Sequence, residues 1–551
     1  MALSFLFRFR DFIAPTIDEH KAIIRDHTSC WWGWWKRPSE DDRRDVWDAL
    51  NELARLESPV EIGLFDSGHG RVYPARVTQV IPPRRDDHGT SIVPPLPPGD
   101  EVLVPTYYRT SPFSRAWMRL SHIDEPIRFF GEYSFERLPT LPYYAPATLS
   151  RFEGKVIVAD AELRGMDTTI WQIRPSRADD RHETIILSVP GVASPISNAP
   201  ILTKSSRILH VTDPHFAVGA HREQHGWRLE SEPNDGRRTL AEAIQQAVPP
   251  PIGLILVTGD LTFIGLPAEF TEARISLLKL LGIYDLDAGS LIVIPGNHDI
   301  KWTQEDAYDE SARVTIAPAA AKENYRRFYR DLFFHDPNED LSMGRRFVTP
   351  SGLVLEICAV NSSSLETGRH FLAGMGRVQE HAFVAVANAL GWAAQPGLSL
   401  RLLALHHHLM LTEDLEPEAS YYKGFGIAID APRILRLAAT HGVQLALHGH
   451  KHRAFIGRSS IYELPEYAQP QYERGVISIV GGGSAGSTDV PHDSNYLNVI
   501  ETESAGLTLK ILRAQNRGAF QPMQAWKAGL ELDGTLKRLV LADWRRLAEA
   551  Q

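Results

Sequence analysis

From Arg207 onward, short apolar runs alternate with longer segments of helical spacing. The runs are RILHVTD, PIGLILVTGD, GSLIVIPGNHD, LVLEICAVNSS, LRLLALHHH and VQLALHGH. Apolar stretches this short, with little polar alternation, predict strands buried on both faces and therefore a layered α/β domain. Most of them end in a polar cluster. The carboxyl ends of strands line the ligand crevice of such sheets, so these clusters can converge. Between residues 299 and 346 lies a stretch too long for a simple connection. It contains AAAKENYRRFYRDLFF, a helical pattern that could cap a site and bring Arg326, Arg327 and Arg330 towards a phosphate; otherwise they are a solvated face. After Phe455 strands and turns return (VISIVGGGSAGS, YLNVIET, LTLKILRA), and the closing KRLVLADWRRLAEA reads as a helix.

The first 150 residues have another character. MALSFLFRFRDF is interrupted by Arg8, Arg10 and Asp11, unlike the core of a secretion signal, and reads as a first strand or helix. Residues 39–56 start with a capping serine and carry helical spacing. PVEIGLFDSGHGRVYPARVTQVIPP reads as two β-rich runs around a Ser67-Gly68-His69-Gly70 turn, and DEVLVPTYYRT as a further strand. A Pro-rich loop covers 82–98, and a Pro- and Ser-containing linker covers 188–203. The expected organisation is a small β-rich accessory domain at 1–150, a bridge and linker at 151–204, an α/β domain at 205–515 and a helical tail at 516–551.

Composition narrows the class. The chain has 551 residues with 43% hydrophobic and 23% charged, ordinary for a globular protein of several domains. A formal net charge of −10 argues against a generally basic nucleic-acid coat. No apolar run is long enough to span a bilayer, so no membrane role is expected. Only Cys30 and Cys358 are present, with no CxxC pair, which excludes a thiolate zinc site within this chain and suits a reducing cytoplasm. Six of the twelve tryptophans fall in the first 150 residues, four of them at Trp31, Trp32, Trp34 and Trp35. Four rings in five residues are not expected to share one core. Core plus interface is the simpler reading, and a pocket for a flat ligand or a protein partner, with Tyr107, Tyr108, Arg109 and Trp117 contributing, is the sharper one.

Histidine is the unusual residue: 15 of 22 lie between His210 and His452. Five polar clusters follow strands in order: Asp213-Pro214-His215, Gly259-Asp260, Gly296-Asn297-His298-Asp299, His406-His407-His408 and His448-Gly449-His450-Lys451-His452. Oxygen and imidazole donors suit Mn, Fe, Ni or Zn. Seven potential ligands exceed the three or four of one tetrahedral ion and fit a two-metal site. His210 and His448 lie just inside strands and read as buried, hydrogen-bonded histidines. Gly481 to Gly486 formally matches GxGxxG, but no helix pattern follows, so it reads as a turn near the metals.

These blocks resemble the calcineurin-like metallophosphoesterase superfamily, whose pattern runs D-x-H, GD, GNH[DE], H and GHxH. The resemblance covers about residues 205–510 and implies a double-β-sheet sandwich flanked by helices. It implies that Asp213, His215 and His452 hold one metal, that Asn297, His406 and His450 hold a second, and that Asp260 bridges them, with Mn or Fe favoured. His406 is chosen over His407 and His408 as the first histidine after the strand. His298 would contact phosphate and protonate the leaving group, with Asp299 orienting it. The second block reads GDLTFIG, which is similar to the cyclic-nucleotide and glycerophosphodiester phosphodiesterase branch rather than to the protein phosphatases. The implied activity is hydrolysis of a small phosphodiester, a nucleotide among the candidates, by in-line attack of a hydroxide held between the metals. A nuclease acting on DNA or RNA and a non-catalytic binding scaffold are the alternatives. Residues from about 200 onward are expected to keep basal activity.

Overall fold

The computed structural model describes residues 3–9, 16–36, 40–56, 59–67, 71–109, 113–126, 133–135, 168–175, 184–185, 194–300, 318–333, 335–365, 374–392, 398–411, 426–462, 473–533 and 538–547. They form two compact units, Met1–Pro190 and Gly191–Gln551. Among the described residues, no helix is long and apolar enough to cross a membrane.

The first unit is built on an eight-stranded sheet. Its opening apolar segment is a strand, Phe5–Phe9, running parallel to Val60–Asp66 and antiparallel to Ile170–Pro175. Val60–Asp66 and Arg71–Ile81 form the expected antiparallel pair, although positions 68–70 of the turn between them lie outside the described residues. The helix of residues 39–56 spans Arg44–Leu56 and buries Val46, Trp47, Leu50 and Ala54. DEVLVPTYYRT is not a strand. Gly99 in the left-handed region and Pro105 break it into a short 3-10 turn, Asp100–Leu103, and a helical turn, Thr106–Arg109.

The tryptophan cluster is a strand, Cys30–Trp35, at the sheet edge beside Ser114–Ile123. Successive side chains of a strand point to opposite faces. Trp32 and Trp34 therefore join one core with Phe5, Trp47 and Leu50, while Trp31 joins another with Leu103, Val104, Tyr108 and Trp117. The indole N–H groups of Trp31, Trp34 and Trp117 donate to the Asp100 carboxylate, Thr169 Oγ1 and the Pro94 carbonyl, each at 2.9 Å. Three of the four rings are thus packed core residues, and only Trp35, 45% exposed, meets solvent.

The second unit contains two sheets. One runs in the order Leu291–Ile294, Leu254–Thr258, Arg207–Val211, Ser494–Glu503, Gly506–Gln515, Gln521–Asp533 and Arg538–Leu541. The other runs Ile196–Leu202, Met343–Val348, Val354–Ala359, Leu400–Ala404, Leu445–His448, Glu473–Gly482 and Ala454–Tyr462. The first three strands of one sheet are mutually parallel, as are Val354–Ala359, Leu400–Ala404, Leu445–His448 and Glu473–Gly482 of the other. Each strand that precedes a polar cluster is fully buried or nearly so, as its unbroken apolar run demanded. Helices flank the sheets. Pro267–Ile283 is buried on most of its surface, and Leu240–Ala247 starts with a Thr239–Glu242 capping box.

Two readings of the termini change. Ile196–Leu202, inside the expected linker, is an edge strand parallel to Met343–Val348, while 188–193 lie outside the described residues. The closing segment is not helical: Arg538–Leu541 and Arg545–Arg546 both pair with Gln521–Asp533. Its helical periodicity is a local preference, and the open edge of that strand supplies backbone partners that override it. The helix Glu323–Phe333 forms as expected, but it packs on the fold. Tyr325 Oη donates to the Val293 carbonyl at 3.1 Å, and Phe328 lies 5.3 Å from Phe270. Arg330 pairs with Glu323 and Asp336, Arg327 approaches Asp331, and Arg326 donates to the Glu339 carbonyl.

Candidate metal centre

Both sheets present the carboxyl ends of their parallel strands to one place. Val211 leads to Asp213 and His215, Thr258 to Asp260, and Ile294 to Asn297; from the other sheet come His406, after Ala404, and His450 and His452, after His448. The turns are tight. Asp213, His215, Asp260, His450 and His452 all have φ between 45° and 79°, a left-handed conformation that costs a non-glycine residue about 1 kcal/mol or more. Glycines allow the close approach: a Cβ on Gly296 would overlap the Asp260 carboxylate, and one on Gly449 would overlap Thr212 and Asp213. The Gly481–Gly486 turn packs here too, with the Ala485 amide on the Thr212 carbonyl at 2.8 Å and Ser484 Oγ on the Asp213 carbonyl at 2.8 Å.

The side chains converge in overlapping groups. Asp213, His215 and His452 form one, Asp260, His406 and His450 a second, and His215, Asp260 and His298 a third that shares members with both. Asp260 Oδ2 lies 3.2 Å from His406 Nε2 and 3.5 Å from His215 Nε2. Asp213 Oδ1 lies 3.4 Å from His452 Nε2. Asn297 Oδ1 is 3.1 Å from His406 Nε2, and His450 Nδ1 is 3.2 Å from the same nitrogen. Seven of the nine ligand and catalytic candidates are in these groups, Asn297 touches His406, and Asp299 binds the turns that carry Asp260 and Asn297.

Hydrogen bonds around the rim show what the cluster is built to hold. His406 Nδ1 donates to the Thr258 carbonyl at 2.8 Å, and His452 Nδ1 donates to the Asp489 carbonyl. A carbonyl only accepts, so each Nδ1 carries the hydrogen and each neutral ring turns a bare lone pair inward at Nε2. For His406 that lone pair faces two oxygens, and for His452 it faces Asp213 and, at 3.1 Å, His215 Nε2. Lone pairs aimed at one another inside a buried site repel unless a cation sits among them. The donor set therefore fits a metal, the oxygen and imidazole chemistry suits a divalent transition ion, and carbonyl-held histidines are the usual outer support of such a site. Without a metal the cluster draws a proton. Burial opposes charge on His406, but Asp260 and Asp213 outweigh it and bring its pKa up to about 9. Burial takes His215 down to about 4 and, with the neighbouring histidines, holds His450 well below the ordinary imidazole range.

His406, not its neighbours, points at the cluster. The His407 ring lies 4.5 Å from that of His450 but joins none of the groups; its Nδ1 lies 2.9 Å from Ser362 Oγ, which accepts both the His406 and His407 amides at 3.1 Å. His408 packs at a tilt against His448 and Phe455. Ser362 was not singled out in the sequence; its signal is the NSSS that ends the LVLEICAV strand. His210 is buried and held by Thr258 Oγ1 and Asn498, as a hydrogen-bonded interior histidine should be.

His298 is half-buried at the edge of the cluster. Its amide donates to Asp260 Oδ1 at 2.9 Å, and its Nδ1 donates to the Phe263 carbonyl at 2.5 Å, leaving Nε2 as the exchangeable nitrogen. Asp299 does something other than the expected orientation of His298. Its carboxylate accepts the amides of Leu261, Thr262 and Gly296 and the Thr262 hydroxyl, at 2.8 to 3.1 Å. It clamps the turn after Asp260 to the turn carrying Asn297, and the Phe263 carbonyl orients His298. Burial, with the nearby Asp260 charge, pushes Asp299 up to about 7.

Residues 206–454 match the family model for calcineurin-like phosphoesterases, and residues 5–184 match the Pua-like family. No curated protein matches the chain. Similar solved structures include a phosphopantetheinyl hydrolase from Mycobacterium tuberculosis, with 14% identity, covering 52% of this chain and 90% of that one, at a TM-score of 0.25. Vps29 from Chaetomium thermophilum has 12% identity, covering 62% and 97%, with a TM-score of 0.22. A NAD nucleotidase from Haemophilus influenzae has 13% identity, covering 62% and 53%, with a TM-score of 0.22.

Proposed function

Residues 206–454 being a calcineurin-like phosphoesterase domain, we propose that the chain is a two-metal phosphodiesterase acting on a small phosphodiester, with a nucleotide the favoured class. The observation that carries this reading is the His406 lone pair held between Asp260, Asn297 and His450 while its other nitrogen is tied to a carbonyl. In this reading Asp213, His215 and His452 would hold one ion, Asn297, His406 and His450 would hold a second, and Asp260 would serve both. The mixed oxygen and imidazole donors suit Mn, Fe, Ni or Zn, and the family resemblance favours Mn or Fe. When bound, such a pair supplies Lewis-acid activation of water and neutralises charge at phosphorus.

The chain's own residues do the rest. The carbonyls of Thr258 and Asp489 keep His406 and His452 in the tautomer that presents Nε2. Asp299 keeps the two ligand turns in register. His298, its Nδ1 hydrogen committed to Phe263, can carry a proton at Nε2 and release it to the departing alkoxide, a general-acid step. Among the described residues, all three groups able to hold a metal lie in the second unit, so chemistry is assigned there. Substrate selection or assembly is assigned to the first, where the exposed Trp35 and Phe113 are the remaining candidates for contact with a ligand or partner.

The test is a panel of cyclic nucleotides, glycerophosphodiesters, phosphomonoesters and single-stranded nucleic acid, with manganese-loaded protein and metal analysis of the same sample. Turnover of a small diester with about two ions bound is the expected result. Cleavage of nucleic acid alone would replace the reading with that of a nuclease, and absence of metal after reconstitution would leave a binding scaffold.

A further inference from the structure

A group protonated by His298 must, as it departs, lie against whatever surrounds the His298 ring. Among the described residues, the rings beside it are those of His215 and Phe263. The Phe263 ring centroid is 6.0 Å from that of His298 with the planes only 28° apart, and the His221 ring centroid is 5.4 Å from that of Phe263 with the planes 44° apart. His221, Phe263 and His298 are all half-buried, whereas Asp213, His215, Asp260 and His406 below them are buried, so the aromatic surface forms the rim of the site.

This surface is held in place before anything binds. The Phe263 amide donates to the Phe216 carbonyl at 3.0 Å, and its carbonyl takes His298 Nδ1. On one side Thr262 is tied to Asp299; on the other, the Ile264 amide donates to Glu269 at 3.0 Å, and Asn324 donates to the Gly265 carbonyl at 2.8 Å. A ring fixed by its backbone on both sides stacks at little further ordering cost. No hydrogen-bonding duty requires an aromatic side chain at 263, since the position serves His298 through its backbone carbonyl.

We propose that Phe263 and His221 form a stacking wall for the leaving group, so that the favoured substrate is a phosphoester whose departing alcohol carries a flat aromatic ring such as a nucleobase. This rests on the phosphohydrolase reading and specifies the substrate class of the same site. An alkyl leaving group would gain only contact area there, whereas a flat base gains aromatic stacking as well.

The test uses the full-length, manganese-loaded protein and two phosphonates in which carbon replaces the ester oxygen, so nothing can be cut. One is the analogue of AMP, the other that of ribose 5-phosphate, and binding is read by calorimetry. The AMP analogue is expected to bind about tenfold more tightly. In Phe263→Leu, which keeps apolar volume but no π face, and in Phe263→Ala, the ratio is expected to fall to within about twofold. Equal binding of both analogues to the wild type, or a ratio preserved in Phe263→Leu, overturns the stacking wall while leaving the phosphate site standing. Failure of both analogues to bind overturns the stacking wall; the phosphohydrolase reading falls only if, in addition, no ester of the substrate panel is turned over.

Discussion

The tryptophan strand of the first unit and the histidine-bearing turns of the second are both dense clusters of unusual residues, and both are largely buried. They differ in how their polar atoms are matched. In the strand, the N–H groups of Trp31, Trp34 and Trp35 each meet an acceptor, and the buried rings fill two cores on opposite faces. In the turns, acceptor faces acceptor: His406 Nε2 against Asp260 and Asn297, His452 Nε2 against Asp213. Five ligand candidates sit on left-handed backbone besides. A matched cluster is complete as it folds and reads as structure. A mismatched one is unstable by itself and needs a cation, which is the physical mark of a site.

The comparison breaks most directly at Asp260. Asp260→Ala or Asn297→Ala is expected to remove bound metal and to lower diester turnover by about 10³-fold or more, read by metal analysis and initial rates. Full activity from a metal-free Asp260→Ala protein would sink the reading of the turns as a metal centre. On the other side, Trp34→Ala should cost about 3–5 kcal/mol in the unfolding of the first unit. It should leave metal content unchanged, as chemical denaturation with metal analysis would reveal.

A smaller effect separates holding metal from using it. His298→Ala is expected to retain both ions and lose about 10²-fold or more in turnover. Loss of metal in this variant would instead make His298 part of the holding set. The smallest effect concerns Glu269, whose buried carboxyl accepts the Ile264 and Leu266 amides. Burial pushes its pKa from 4.5 up to about 7. The folded state then binds the proton more tightly than the unfolded one, so its stabilising contribution is full below pH 4.5 and is lost as pH rises through about 7. Thermal denaturation of wild type against Glu269→Gln should show the wild type losing about 2 kcal/mol relative to the variant between about pH 5 and 7. Parallel pH profiles would show that Glu269 stays ionised throughout.

Much of this was legible before any coordinates. Unbroken apolar runs ending in Asp, His and Asn located the strands and the ligand candidates, because burial on both faces and a polar turn are local demands. The motif order carried the family resemblance of residues 206–454. Other features were not local. KRLVLADWRRLAEA carries helical periodicity, but the edge of Gln521–Asp533 recruits it as strand. Asp299 stands beside His298 in sequence, yet its carboxylate turns to the amides of 261, 262 and 296.

By itself, then, the sequence determined which residue types stand at the ends of which strands, since periodicity and turn chemistry act over a few residues. The tertiary structure alone decided which atoms face one another. That His406 rather than His407 points inward, that Thr258 and Asp489 fix the tautomers, and that Phe263 lies along His298 all depend on two sheets meeting at their carboxyl edges. Such pairings join positions tens to hundreds of residues apart, and only long-range packing brings them within hydrogen-bonding distance.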